Sequence, residues 1–370
     1  MKEIRAIAAA YSAIDFSATK AALAIVVRTE GSSYRRTGAR MLVLDNGTCL
    51  GGISGGCLEG DALRRAQKAI SLNKPSVVTY DTTEDDARQI GVGLGCNGII
   101  DVLFTPLDPN DPANSAAVLT GITHTRTPQV LVTVTGSPAR PGLLGKAWLY
   151  QNDDQLRAAI AADELSGPLL PAIQDCLQQQ HSQTMSLALP DGSITVFIEV
   201  ILPAVHLVLY GSNYDIYPVL AIARELGWDL TVVTDTSKAR QSLYNTATTV
   251  LHHKGAATPV IDACTAVVLM THDFKTDCQQ LPLLLQSPAR YIGLLGPRKR
   301  MQKIADALAE QGQPIPADKW PSLFAPTGHD IGASSPEEIA LSILAEIVAV
   351  FAGRQGGPLR QRAVPIHETN

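Results

Sequence analysis

The chain has 370 residues, of which 45% are hydrophobic and 18% charged, and a formal net charge of -5. That length and apolar content suit two or three domains with a substantial core and exclude long disordered stretches. The mild acidity, with no long basic run, leaves nucleic acid and anionic membrane without an electrostatic footprint, so the expected partners are small molecules and proteins.

The N-terminus lacks the apolar core of a signal peptide, and no apolar run reaches spanning length. A cytoplasmic location is therefore expected. Six cysteines, Cys49, Cys57, Cys96, Cys176, Cys264 and Cys278, contain no Cys-x-x-Cys pair. This pattern argues against a zinc ribbon and a secreted disulfide framework, and for a reduced compartment.

Helical spacing is expected over residues 3–16, followed by a buried strand at 21–27. A polar loop at 32–40 then carries Arg35, Arg36 and Arg40. Arginines there serve either as forked ligands for phosphate or carboxylate, or simply as a solvated face. A strand at 41–44 and an Asp45-Asn46-Gly47 turn predict a hairpin whose second arm returns toward Ser54. The stretch Gly51-Gly52-Ile53-Ser54-Gly55-Gly56-Cys57-Leu58-Glu59 has Ser54 as expected N-cap of a helix through Ile70, with Cys57 near its third position. Unpaired amides and the helix dipole favour an anion there. A small buried Cys57 without chemistry is the plainer reading of the same pattern.

A second glycine turn at 91–98 includes Gly95, Cys96 and Asn97 and precedes a strand at 99–104. Two thiols, each on a loop that lets backbone approach a ligand, point to soft-metal ligation by Cys57 and Cys96, to sulfur handling, or to a disulfide switch. Residues 108–125 read as a surface connection. Strands are expected at 129–135, 146–150, 186–189 and 193–200, largely antiparallel, so residues 1–203 form an α+β domain, with 108–203 its less defined part.

From residue 205 the pattern becomes strand, turn, helix, strand, ending at Asp235, where an acid reaches ribose hydroxyls in a Rossmann βαβ unit. The predicted fold class is thus α/β and α+β: an N-terminal α+β domain followed by a Rossmann-like doubly wound domain over 204–370. Of the G-x-G-x-x-G positions only Gly211 is present, with Asn213 and Ile216 in the others, and the Asn213 side chain would crowd a pyrophosphate. A strand at 266–270 places Thr271, His272 and Asp273 at the sheet edge where ligands bind, making His272 a candidate acid or base. Residues 291–298 repeat the strand and glycine turn ahead of a basic helix. Ser335, Pro336 and Glu338 form a capping box for a helix to Phe351, apolar nearly all round and expected to pack between domains or between the two chains of a homodimer.

The pieces at 31–41, 54–59, 95–98, 271–273, 291–296 and 330–340 resemble, in order and number, the xanthine dehydrogenase accessory protein family, also called XdhC/CoxI. Residues 108–200 are the poorly covered part. The resemblance implies a cytoplasmic chaperone that binds the molybdenum cofactor (molybdopterin), assists its sulfuration, and delivers it to xanthine dehydrogenase or a related molybdoenzyme, with a cysteine desulfurase as further partner. In that role Arg35, Arg36 or Arg40 and the loop residues Ser54, Gly55, Gly56, Gly95 and Asn97 hold the cofactor's phosphate, while Cys57 and Cys96 meet the molybdenum or carry the sulfur. Three positions depart from the family: Asn213 where Gly-x-Gly is usual, His329 where leucine is usual, and Asn97 where glycine is frequent. The rival is an NAD(P)-dependent oxidoreductase, with Gly211, Asn213, Asp235 and Asp273 around the cofactor and His272 as acid or base. A third reading is a protein-docking module whose Rossmann half is only scaffold.

Overall fold

The computed structural model describes residues 1–81, 98–160, 163–237 and 239–364. The chain divides into two compact units, Met1–Pro203 and Ala204–Asn370.

The first unit opens with α1 (Lys2–Ser12), which stops short of the expected Phe16. Ser12 turns its hydroxyl back to the Ala8 carbonyl at 2.9 Å, and Asp15 takes the amide and hydroxyl of Ser17 into a separate turn. Next come β1 (Ala21–Gly31), β2 (Arg40–Leu44), β3 (Cys49–Gly51), α2 (Glu59–Leu72), β4 (Ser76–Asp81) and β5 (Gly98–Pro106). They form an antiparallel sheet in the order β3-β2-β1-β5-β4. The start of β1 is apolar without alternation because it sits mid-sheet and serves two cores. Leu23 and Ile25 face α1, while Ala22, Ala24 and Val26 face Ala62 and Ala66 of α2.

Residues 108–125, expected to be only a surface connection, contain α3 (Ser115–Thr120), capped by Asn114. Ala116, Leu119 and Ile122 are fully buried in the core beside α1. Polar composition hid a one-turn apolar face. A second antiparallel sheet, β7-β6-β9-β8, is built from β6 (Gln129–Gly136), β7 (Ala147–Tyr150), β8 (Gln183–Leu189) and β9 (Gly192–Ile201), with α4 (Asp153–Ile160) and α5 (Asp163–Gln179) in the β7–β8 connection.

The second unit contains β10 (His206–Tyr210), α6 (Ile216–Glu225), β11 (Asp229–Thr234), α7 (Gln241–Thr246), β12 (Thr249–His252), β13 (Thr265–Leu269), α8 (Phe274–Leu285), β14 (Tyr291–Leu294), α9 (Arg298–Glu310), β15 (Leu323–Phe324) and α10 (Pro336–Phe351). All strands are parallel, in the order β12-β11-β10-β13-β14-β15. This is the doubly wound Rossmann arrangement, with its switch point between β10 and β13. Alternate residues of β10 feed the two faces: Leu207 and Leu209 pack with α6 and α10, Val208 and Tyr210 with α8 and α9. The capping box of α10 is present, and the helix buries Ala340, Ile343, Leu344 and Ile347 with α6 inside its own unit. Its outer stripe leaves Leu341 53% and Val348 45% exposed, so burial all round does not hold within its own unit. Among the described residues no helix is long and apolar enough to cross a membrane.

Candidate functional site

Strand β1 ends at Gly31, paired with Gly98, the first residue of β5. A side chain at Gly98 would meet the carbonyls of Glu30 and Ser32, so only glycine lets the two chains approach this closely. At the same edge the Tyr34 ring lies over Gly55, where an added Cβ would stand 3.0 Å from Cγ. The arginine-bearing loop, the Gly51–Leu58 loop and the entry to β5 therefore gather in one place, and Cys57 lies half-buried there.

The local order around Cys57 differs from the expectation. Helix α2 begins at Glu59 with Leu58 as its N-cap, so Cys57 precedes the helix and Ser54 is not its N-cap. The Ser54 hydroxyl instead closes a turn, accepting from the amides of Leu58 (3.0 Å) and Gly56 (3.3 Å) and donating to Glu59, whose carboxylate also takes the Ser54 amide at 2.8 Å. Burial acts to raise the Glu59 carboxyl, but the Ser54 hydrogen bonds outweigh it and hold the group below the usual range. Cys57 Sγ is 3.4 Å from Ser54 Oγ. Gly56 has φ +112°, and among the described residues nothing lies within 4 Å of a Cβ position there.

The three arginines separate in role. Arg40 is 1% exposed and points into the first unit, where its guanidinium meets both carboxylate oxygens of Glu199 and donates to the Gly38 carbonyl at 2.6 Å. This corrects Arg40 as a phosphate ligand: the charge is already spent in the interior. Arg35 Nη2 reaches Glu3 Oε2 at 2.5 Å, and Glu3 Oε1 takes the Arg40 amide at 3.0 Å, so α1 anchors the loop. Arg36 is exposed at the loop surface. Gly95, Cys96 and Asn97 lie outside the described residues. Among the described residues no three His, Cys, Asp or Glu side chains gather as a metal site.

In the second unit, the turn after β10 and the end of β13 meet at the switch point. Gly211 has φ +147°, and a Cβ there would strike the Met270 carbonyl; the glycine is demanded by strand packing. Asn213 is exposed and its carbonyl takes the Ile216 amide at 3.3 Å. His272, at φ +56°, holds its Nε2 2.7 Å from Asp215 Oδ2, while Asp215 Oδ1 is buried without a partner among the described residues. Asp215 thus stands at the start of α6 without a side-chain cap hydrogen bond, and its carboxylate puts a negative charge at the end of the helix where the fold's dinucleotide sites take a pyrophosphate. Asp273 caps α8 by accepting the Thr276 amide at 2.6 Å, and the Thr276 side chain, with that amide, lowers its carboxyl. Asp235 Oδ1 takes the amide (3.1 Å) and hydroxyl (2.6 Å) of Ser237 and lies 3.5 Å from His252 Nε2. Expected as ribose and cofactor ligands, both acids have internal partners.

Sequence reasoning missed Glu3, Glu59 and Asp215. Glu59 stood inside the recognised motif, one place past a glycine turn, and its reach back to Ser54 is the signal that was available. Glu3 and Asp215 act across 32 and 57 residues, and nothing local marks them.

Comparison with known proteins gives two family-model matches: the XdhC and CoxI family over residues 17–81 and the XdhC Rossmann domain over residues 207–347. The chain belongs to the XdhC/CoxI family. Its XdhC/CoxI match holds the Cys57 loop, and its XdhC Rossmann match holds the switch point. A Bacillus subtilis (strain 168) protein named as a probable subunit of xanthine dehydrogenase is 28% identical, over 89% of this chain and 92% of that protein. The molybdenum cofactor insertion chaperone PaoD of Escherichia coli (strain K12) is 23% identical, over 89% and 83% of the two chains. A crystal structure of a Bacillus halodurans protein described as a xanthine dehydrogenase superposes with a TM-score of 0.71 at 25% identity, covering 99% and 98% of the chains.

Proposed function

We propose that this XdhC/CoxI protein is an accessory chaperone that binds the molybdenum cofactor, assists its sulfuration and inserts it into a xanthine dehydrogenase-like molybdoenzyme. The observation that carries the reading is the gathering of three loops at one edge of the first sheet, with the half-buried Cys57 beside the Gly55-Gly56 backbone. The residue types fit the ligand: a thiol suits a soft metal and its sulfur, and Arg36 with the Gly55 and Gly56 backbone suits a phosphate. Bound there, the cofactor would supply molybdenum and its sulfur ligands. Cys57, together with Cys96 as the sequence expects, would hold the metal end or receive sulfur; Tyr34 would shape the wall over Gly55. The names of the relatives, one a cofactor insertion chaperone, support the same reading.

Cys57→Ala and Cys96→Ala, made separately, are expected to lower molybdenum and pterin retained by the purified protein; full retention in both removes the thiols from the role. Expressing a client dehydrogenase with and without this chain, and assaying molybdenum and cyanide-labile sulfur separately, distinguishes insertion from sulfuration. The reading includes a cysteine desulfurase as sulfur donor, a cytoplasmic site of action and a homodimer, checked by co-purification, fractionation and light scattering. The NAD(P) reading is less well supported, because Asp215 occupies the anion position of the switch point.

A further inference from the structure

Neither Tyr291–Leu294 with its following glycine turn nor the Asp330-Ile331-Gly332-Ala333 piece takes part in the chemistry of the Cys57 loop. The two converge. The β14–α9 turn and the loop leading to α10 face one another across a cleft of about 540 Å³ at the carboxyl edge of the parallel sheet, away from the switch point. Ligand sites of α/β sheets lie on this edge, and the volume is that of a small-molecule site.

The floor is pre-formed. The Gly328 amide donates to Glu346 Oε2 at 2.8 Å, Tyr291 Oη reaches the same carboxylate at 2.5 Å, and Ser342 Oγ donates to the His329 carbonyl at 2.5 Å. Beyond His329 the anchoring ends: residues 330–332 are exposed, and Ile331 is 51% exposed although it lines the cleft. The walls carry opposite charges. Arg298 comes from the first turn of α9 and Asp330 from the facing loop; both are exposed, and neither has an ion-pair partner among the described residues. Between them lie the apolar surfaces of Leu295, Ile331 and Ile339.

The geometry points to this cleft as a binding site for a phosphorylated, amino-bearing flat heterocycle. Arg298 takes the phosphate by its fork, the aliphatic side chains cover the ring faces, and the Asp330 carboxylate accepts from an amino group and adjacent ring N–H. Guanine nucleotides and pterin phosphates share this chemistry. The site does not depend on the role given to the Cys57 loop, and it replaces the switch point that Asp215 closes to phosphate.

The test is calorimetric titration of the full chain with guanosine 5′-monophosphate, neopterin monophosphate, adenosine 5′-monophosphate and guanosine. At least one of the first two is expected to bind saturably, and which one does so identifies the source. Adenosine 5′-monophosphate and guanosine should each bind at least tenfold more weakly, since one has a ring acceptor instead of the ring N–H beside its amino group and the other lacks the phosphate. Arg298→Ala should abolish phosphate-dependent binding, and Asp330→Asn should erase the preference over adenine while keeping the phosphate contribution. Both side chains are exposed, and circular dichroism verifies that the variants fold. Asp215→Asn should leave binding unchanged. No saturable binding of either ring phosphate, equal binding of the adenine nucleotide, or retention in Arg298→Ala would overturn the assignment. Cofactor retention lost in Cys57→Ala with ring-phosphate binding intact separates this site from the first unit.

Discussion

Removing one member of the Arg40–Glu199 pair tests whether Arg40 is a structural charge or a ligand for the cofactor. Arg40 is 1% exposed and the Glu199 side chain 9%, so either charge left alone is stranded inside the first unit. Breaking a buried pair of this kind costs about 3–5 kcal/mol. With a urea slope of about 3 kcal/mol/M, the first unit's unfolding midpoint falls by about 1–1.7 M in Arg40→Met or Glu199→Leu. The double variant removes both charges and is expected to recover most of that loss, because two apolar side chains of similar volume need no compensation. Arg40 Nε, buried without a partner among the described residues, adds to the native pair's cost and favours this recovery. Urea unfolding followed by circular dichroism gives the four midpoints, and pterin fluorescence of each purified protein gives cofactor retention. Midpoints of the single variants within about 0.2 M of the parent, or a double variant that unfolds cleanly yet has lost all cofactor, would refute the reasoning and return Arg40 to the binding site.

Asp61, buried at 7%, accepts from Tyr80 Oη at 2.8 Å and Arg65 Nε at 3.1 Å. Burial acts to raise its carboxyl, but these bonds outweigh it and leave the group below its ordinary value. A folded-state value lowered in this way contributes stability above the unfolded value near about 3.9 that is lost as pH falls through the folded one. The midpoint gap between the parent and Asp61→Asn should therefore be full at neutral pH and shrink below about pH 4; a gap independent of pH contradicts it. Gly211→Ala should destabilise the second unit by roughly 2 kcal/mol or more, since the backbone at φ +147° and the Met270 carbonyl both oppose a Cβ. A thermal melt indistinguishable from the parent's would show that the β10–α6 turn relaxes freely. Titration with NADH should give no saturable binding, and tight binding lost on Asp235→Ala would restore the oxidoreductase reading.

Periodicity and turn chemistry made much of the architecture legible before any coordinates. The Asn46-Gly47 hairpin, the strand-turn-helix opening at β10 and the Ser335–Glu338 capping box are local devices, each decided within a few residues. The errors arose where local rules compete. Ser54 has the chemistry of an N-cap, yet it closes a turn upstream and binds Glu59, leaving the helix to begin five residues after the serine. The polar stretch containing α3 buries three residues only because α1 offers them a surface.

By itself the sequence determined the two-part α+β and Rossmann organisation, and the chemical types gathered in each glycine turn, because hydrophobic period and backbone freedom are short-range properties. Tertiary structure alone decided which charges remain for a ligand. Arg40 reads as a binding group until Glu199, 159 residues away, takes it up, whereas Asp235 and Asp273 are taken up locally by Ser237 and Thr276. Arg298 and Asp330, 32 residues apart and unmarked by any spacing rule, face one cleft. Electrostatic pairing depends on distance through space and on exclusion of water, and neither is written along the chain.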